Sequence, residues 1–335
     1  MRKINWGVLS TARIAKRHVI PGIKQSKNSN LYAIASRNKS KALKFKKKFK
    51  FIKSYGSYDE LYEDKNVDVI YNPLPNHLHL NSTIEACKNK KHVLLEKPIT
   101  LKSKEVDQLI EISKKNKVII KEAFMVRYHP QWQWVKKFIS KGGIGKIRSI
   151  STIFSYYNTD PSNIRNIKKY GGGSVYDIGC YPVLISRYLL NKEPLKVLAT
   201  SIKDNKFNTD VLSSAILDFN GIYSSFTCST QANLSQQVLI LGTKKTIILE
   251  NPFNANAKKS TTIVIYDGSS IYRKESQIKK FSASNQYNNQ VTQFSNHLLS
   301  KTKIDFGLED AKKNMKVLDA IFESMKKNKW ISVSK

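Results

Sequence analysis

Residues 4–15 read Ile4-Asn5-Trp6-Gly7-Val8-Leu9-Ser10-Thr11-Ala12-Arg13-Ile14-Ala15. A short apolar run passes through small residues into a stretch whose apolar side chains recur at helical spacing. That is how a strand turns into a helix, and such a turn can hold a dinucleotide pyrophosphate on the helix N-terminus. The usual fingerprint places three glycines around the turn. Here Ser10, Ala12 and Ala15 occupy those places, and Gly7 lies inside the strand. The glycine pattern fails while the small-residue turn survives. An ordinary strand-to-helix turn and a phosphate-binding one both stay open on this stretch alone.

Working outward, the same rhythm repeats. Apolar runs at "LYAIAS", "VDVIYNPLP", "HVLLEKP" and "KVIIKEAF" alternate with helical patterns such as "KSKALKFKKKFK" and "SKEVDQLIEISKKN". Runs apolar on both faces, alternating with helices, predict a parallel sheet that binds ligands at the carboxyl ends of its strands. Beyond about Gly145 the rhythm changes to successive β-rich runs, among them "KIRSISTIFSYY", "VLSSAILDF" and "QVLILGTKKTIILE". Strands in succession predict a mostly antiparallel sheet with one face open. The fold class expected is α/β, with residues 1–123 as the dinucleotide-binding domain and 124–335 as an α+β substrate and oligomerisation domain.

The chain of 335 residues carries a formal net charge of +33. Its lysines are spread through every predicted helix, with no basic tail or single stripe, so the charge reads as solvated surface and not as a nucleic-acid site. No stretch approaches the roughly 20 apolar residues of a membrane span. The N-terminus reads as a strand and not as a secretion signal. Three dispersed cysteines form neither a disulfide framework nor a metal site, which points to a reducing cytoplasm. No metal is expected: His77 and His79 stand two residues apart, a spacing that faces them differently on a helix.

Several motifs fall where a cofactor would lie. The second strand ends Ser36-Arg37-Asn38, with no acidic residue to hold a ribose 2′-hydroxyl. A hydroxyl and a guanidinium suit a 2′-phosphate, which favours NADP over NAD. "NPLPNHLH" and Glu96-Lys97-Pro98 both follow strands. In "GGGSVYDIGCYP", three readings compete for residues 174–182. Ser174 and Asp177 form a capping box, with Pro182 opening a second helix; Cys180 is a redox thiol, though it lacks a neighbouring histidine or partner thiol; or Tyr181 takes a substrate proton. A phenol with a pKa of about 10 needs a nearby cation to serve as base at neutral pH, and Lys97 could supply it.

The motifs "GVLSTARIA", "ASRN", "PLPNHLH", "EKP", "EAFMVRYHPQ" and "GGGSVYDIGCYP", in that order, resemble the glucose–fructose oxidoreductase / inositol dehydrogenase family. The likeness is nearest to the branch holding dimeric dihydrodiol dehydrogenases and NADP-dependent D-xylose dehydrogenases. The resemblance implies an N-terminal Rossmann parallel sheet followed by a large open, mostly antiparallel sheet used for oligomer contacts. It implies cofactor contacts from Ser10, Thr11, Ala12, Arg13 and Ile14, from Ser36 and Arg37, from Pro73, Asn76 and His79, and from Glu96, Lys97 and Arg127. It also implies catalysis by Lys97 and Tyr181 with Asp177, where many family members carry a histidine in place of Tyr181. The activity expected is NADP-dependent oxidation of a sugar or cyclic polyol, such as D-xylose or a trans-dihydrodiol, by a dimer or tetramer. A ketoreductase acting on a nucleotide-linked sugar is the alternative enzyme. An NADP-binding regulator or nucleic-acid-binding protein is the non-enzyme alternative.

Overall fold

The computed structural model describes residues 2–269, 276–300 and 305–333. The chain forms two compact units, one from Met1–Met125 with Asn285–Lys312, the other from Val126–Ser284 with Lys313–Lys335.

The first unit is a six-stranded sheet of β1 (Ile4–Leu9), β2 (Ser29–Ala35), β3 (Lys53–Tyr55), β4 (Val69–Asn72), β5 (His92–Leu95) and β6 (Ile120–Glu122). The order is β3-β2-β1-β4-β5-β6, and every pairing is parallel. The order reverses between β1 and β4, which makes the carboxyl ends of these strands the place for a ligand. Trp6, Val8, Ile34, Tyr71 and Leu94 are buried in one core with Ile20 and Ile23 of the following helix.

A single cut after residue 123 does not describe the packing. The helix Gln286–Ser300 returns to the first unit. Val291 and Phe294 enter its core, and the Trp6 indole N–H donates to Ser295 Oγ at 3.0 Å. Gly22 leaves room for this helix, since a Cβ there would stand 3.0 Å from the Asn288 nitrogen.

The second unit carries nine strands: β7 (Ile147–Tyr157), β8 (Lys196–Lys203), β9 (Asp210–Asp218), β10 (Tyr223–Ser229), β11 (Gln231–Gly242), β12 (Thr246–Leu249), β13 (Thr261–Tyr266), β14 (Gln277–Phe281) and β15 (Ile331–Ser332). Their order is β14-β13-β12-β11-β7-β10-β9-β8-β15. All pairs are antiparallel except β7 with β10. On β7, Ile150, Thr152 and Phe154 are buried while Ser151 and Ile153 are exposed, the period-2 pattern of a sheet with one covered face.

Both units use one device to carry a proline inside a helix. After β1 a π turn spans Ala15–Val19, with the Ile20 N–H reaching the Ala15 carbonyl, and Pro21 follows. In the second unit a π turn spans Val175–Gly179, the Cys180 N–H reaches the Val175 carbonyl, and Pro182 lies two residues on. A proline has no N–H and its ring collides with the carbonyl four residues back. A widened turn moves that carbonyl aside. The helix therefore runs through Pro182 and no second helix opens there.

Candidate active site

In the first unit the turn after β1 is built without glycine. Ser10 takes the left-handed conformation, φ +61°, and its N–H donates to the Ala35 carbonyl at 2.8 Å. It thus supplies the backbone that the first fingerprint glycine would supply. Thr11, Ala12 and Ile14 are half-buried, Arg13 is exposed, and Ala15 is buried where the helix meets the sheet. The Lys16 N–H closes the first turn on the Ala12 carbonyl at 3.0 Å. The N–H groups before it are those a phosphate would meet.

At the end of β2, Ser36 is buried and its hydroxyl accepts the Asn38 N–H at 3.3 Å. Arg37 is exposed and borders a cleft of about 480 Å³ lined also by Ser57, Tyr58, Tyr62, Asn81 and Ser82, with Asp59 and Glu85 on its wall. Burial pushes the Tyr58 phenol up, and Arg37 beside it works the other way. The cleft sets the Tyr58 ring beside the Arg37 guanidinium at the strand end, groups that suit a phosphorylated adenosine. Glu85 is partly neutralised by Lys88 at 2.8 Å.

The loops after β4 and β5 are tied together by a histidine. Sequence reasoning placed His79 among the cofactor contacts, but its ring is fully buried. One nitrogen faces the Pro98 carbonyl and the other the Leu74 carbonyl, each at 2.8 Å. Burial brings its pKa down to about 4 against those two contacts, with the Lys97 charge adding to the fall. The neutral ring donates to one of these carbonyls, and with both nitrogens turned to backbone it braces the two loops and does not point to a ligand. Pro73 is buried nearby, and Asn76 opens a short 3-10 turn. Glu96 accepts the Tyr71 hydroxyl at 2.6 Å and the Lys97 N–H at 3.2 Å. Lys97 stands half-buried just beyond β5, joined to Pro98 by a cis peptide.

In the second unit Tyr181 is 6 % exposed, its ring 5.7 Å from Phe154 and 5.3 Å from Phe253. The capping box does not form: the Ser174 side chain makes no capping bond. Asp210 of β9 caps the helix instead, accepting the Val175 N–H and the Ser174 hydroxyl, each at 2.8 Å. Asp177 turns elsewhere, accepting the Tyr156 hydroxyl at 2.5 Å and pairing with Arg165 Nε at 2.7 Å. Burial, then the Asp177 charge, pushes the Tyr156 phenol well up. Tyr156 is therefore a fixed donor and no base. The Asp177 charge holds Arg165 firmly protonated.

Tyr156 and Arg165 were missed from sequence. The alternation of "FSYY" does place Tyr156 on the face of Phe154, but nothing adjacent in sequence links it or Arg165 to Asp177. Cys180 is buried and donates to the Asp177 carbonyl at 3.7 Å, which suits an inert thiol. Arg127 lies in this unit too, buried, its guanidinium 5.9 Å from the centre of the Tyr188 ring. Among the described residues no cluster of His, Cys, Asp and Glu could hold a metal ion, and no helix is long and apolar enough to cross a membrane.

Two family models match this chain. One describes an oxidoreductase family with an NAD-binding Rossmann fold and covers residues 4–124. The other describes a GFO/IDH/MocA C-terminal domain and covers residues 132–248. An oxidoreductase of Rhizobium meliloti is 37% identical over 334 residues, 99% of this chain and 100% of that protein. The NADP-dependent D-xylose 1-dehydrogenase 2 of Haloferax volcanii is 28% identical over 321 residues, 95% of this chain and 96% of its own. A crystal structure of a 3-ketoreductase from Actinomadura kijaniata, in complex with NADP and TDP-benzene, aligns with a TM-score of 0.91 at 25% identity. The alignment covers 96% of this chain and 98% of that one.

Proposed function

This chain belongs to the GFO/IDH/MocA oxidoreductase family, and from that premise we propose that it transfers hydride between NADP and a hydroxyl-bearing carbon of a sugar or cyclic polyol. The observation that carries this reading is Tyr181 itself, a buried phenol packed against Phe154 and Phe253 and standing four residues after Asp177, whose carboxylate accepts the Tyr156 hydroxyl. When bound, NADP accepts or donates the hydride. Tyr181 accepts the hydroxyl proton in oxidation and returns it in reduction. The reaction asks Lys97 to hold the substrate oxygen and to favour the phenolate, since an ammonium stabilises the charged form of a neighbouring phenol. Asp177 anchors the segment that carries Tyr181.

NADP is favoured by Arg37 at the end of β2 and by the cofactor of the Haloferax and Actinomadura relatives. An aldose such as D-xylose, oxidised at its anomeric carbon, is the substrate class we favour. The likeness to a 3-ketoreductase bound to TDP-benzene supports a second reading, reduction of a nucleotide-linked ketosugar by the same residues. We place the enzyme in the cytoplasm, where three buried thiols stay reduced, and as a homo-oligomer through the open sheet face.

The test is a screen of NADP reduction across aldoses and cyclic diols, and of NADPH oxidation with nucleotide-linked ketosugars, followed by Tyr181→Phe on the best substrate. Turnover should fall by something on the order of 10²–10⁴ while NADP affinity holds. Lys97→Met should cost turnover as well, and the two losses should not add in the double variant, because the residues act as a unit. Near-full activity of Tyr181→Phe on a confirmed substrate would reject the assignment.

A further inference from the structure

Tyr181 leans on two rings that are themselves stacked. Phe154 and Phe253 stand 4.8 Å apart at 18°, and the Tyr181 ring meets them at 67° and 50°, 5.7 and 5.3 Å away. Tilted and edge-on contacts of this kind give a ring a preferred orientation as well as burying it. The two supports are not alike. Phe154 belongs to β7, which is bonded on one side to β10 and on the other to β11. Phe253 belongs to the loop between β12 and β13, where Asn251 and Asn254 on either side of the buried Pro252 and Phe253 are exposed. A ring on a loop stays in place only if something holds the loop.

The loop is held from the first turn of the helix Pro130–Ser140. The Gln131 side-chain N–H donates to the Asn251 carbonyl at 2.9 Å, with a longer reach of 3.4 Å to the Pro252 carbonyl. The neighbouring Trp132 indole N–H donates to that Pro252 carbonyl at 2.6 Å, and its ring lies 6.4 Å from Phe253 at 22°. On the far side the Asn254 N–H donates to Gln236 Oε1 of β11 at 3.1 Å. Gln131 is fully buried, and with its amide nitrogen committed to the loop its Oε1 has no hydrogen-bond partner among the described residues. Burying an amide with its acceptor unpaired costs stability. An apolar side chain of the same length would avoid that cost, so the glutamine contributes the position of the loop more than the strength of the fold.

We propose that Gln131 is a positioning residue for Tyr181: by holding the Asn251 and Pro252 carbonyls it sets the Phe253 ring against the phenol and fixes the direction in which the hydroxyl points. The proposal rests on Tyr181 as the proton-transfer group. A reacting group displaced by about 1 Å can lose roughly a hundredfold in rate while its ligands still bind.

The experiment uses the full chain labelled with 13C in the tyrosine rings, with Tyr181 identified by the resonance lost in Tyr181→Phe. Gln131→Met keeps the length of the side chain and removes the amide. Its Tyr181 resonance should move in the same direction as in Phe253→Leu, because both changes take the ring current of Phe253 away from Tyr181. Tm should stay within about 2 °C of the wild type, since the carbonyl of the exposed Asn251 can turn to water and Trp132 still serves Pro252. On a confirmed substrate kcat should fall about tenfold with NADP affinity unchanged. The Gln131→Met/Phe253→Leu double variant should be no slower than Phe253→Leu alone, because one change acts through the other. Gln131→Leu takes the place of Gln131→Met if that variant does not fold. An unmoved Tyr181 resonance overturns the proposal, as do losses of kcat that add in the double variant. A Tm lowered by more than about 5 °C overturns it too, since that would mean a loosened fold. Because the resonance needs no turnover, the two readings fail separately. Full turnover in Tyr181→Phe would reject Tyr181 as the proton carrier, and the catalytic sense of the proposal with it, while the resonance still reports whether Gln131 places Phe253 against the phenol.

Discussion

Ser10 and His79 show how far a single residue can be read before its surroundings are known. The small-residue turn was legible, because any fold that enters a helix from β1 needs a tight corner. That a serine would hold φ +61° was not, since only the bond to Ala35 reveals it. Arg37 follows directly from sequence: a strand end with no carboxylate and one guanidinium. Arg37→Ala should weaken NADP by roughly 1.5–3 kcal/mol, the worth of a hydrogen bond to a charged group, and NAD far less. Fluorescence titration with both cofactors checks this, and equal weakening would remove the 2′-phosphate contact. His79 was legible as part of a motif but its direction was not, because both its partners are backbone carbonyls on loops that meet only in three dimensions. Its folded pKa of about 4 lies below the unfolded value of 6.5. The native state therefore binds fewer protons between those values, and its stability is full above pH 6.5 and lost as pH falls toward 4. Between pH 7 and 4.5 the wild type should lose about 2–3 kcal/mol more than His79→Gln in denaturant unfolding. Equal losses in the two proteins would show that the ring is not a neutral brace.

Elements were called correctly in kind more often than in detail. The parallel strands announced themselves as continuous apolar runs, because burial on two faces leaves that mark in a sequence. The apolar residues of β7 do not alternate strictly, and its one covered face shows only in the structure. The prolines were visible too, but the π turns ahead of Pro21 and Pro182 were not: sequence says that a helix must yield there, and packing decides how. One of the readings open for residues 174–182 had Ser174 capping its own helix; Asp210 caps it from another strand instead. No local pattern can report a partner 35 residues away. That cap explains Gly173, which holds φ +117° and whose missing Cβ would occupy the space of the Asp210 carboxylate. Gly173→Ala would impose left-handed strain and displace the cap together. The unfolding free energy should fall by about 2 kcal/mol or more, with a matching drop in Tm by calorimetry. A neutral result would mean that the Asp210 cap contributes little to the segment that carries Tyr181.

Charge is the property that belongs to the whole molecule. With a net +33, two copies repel at long range, and they do so least where the meeting surface is itself uncharged. The open face across β7, β10, β9 and β8 has that character. A shallow depression of about 500 Å³ there is lined by Ser151, Ile153, Thr200, Ser214, Ile216 and Thr227 among others, with no Lys, Arg, Asp or Glu in its lining. Ile153 and Ile216 remain 45% and 39% exposed on it. Apolar side chains standing together on an uncharged face of so basic a protein favour a second copy as the partner. The sign of the salt effect tests this. At about 0.15 M salt the screening length is roughly 8 Å, against about 30 Å at 0.01 M, so added salt relieves the repulsion without weakening an uncharged interface. Light scattering should therefore give a dimer or larger at 0.15 M salt, with dissociation favoured at 0.01 M. The double variant Ile153→Lys/Ile216→Lys should be monomeric in both. A nucleic-acid complex behaves the opposite way, weakening as salt displaces it from phosphates. A wild-type monomer at 0.15 M would reject self-association, and a basic surface tightening on DNA as salt is lowered would give the charge a use of its own.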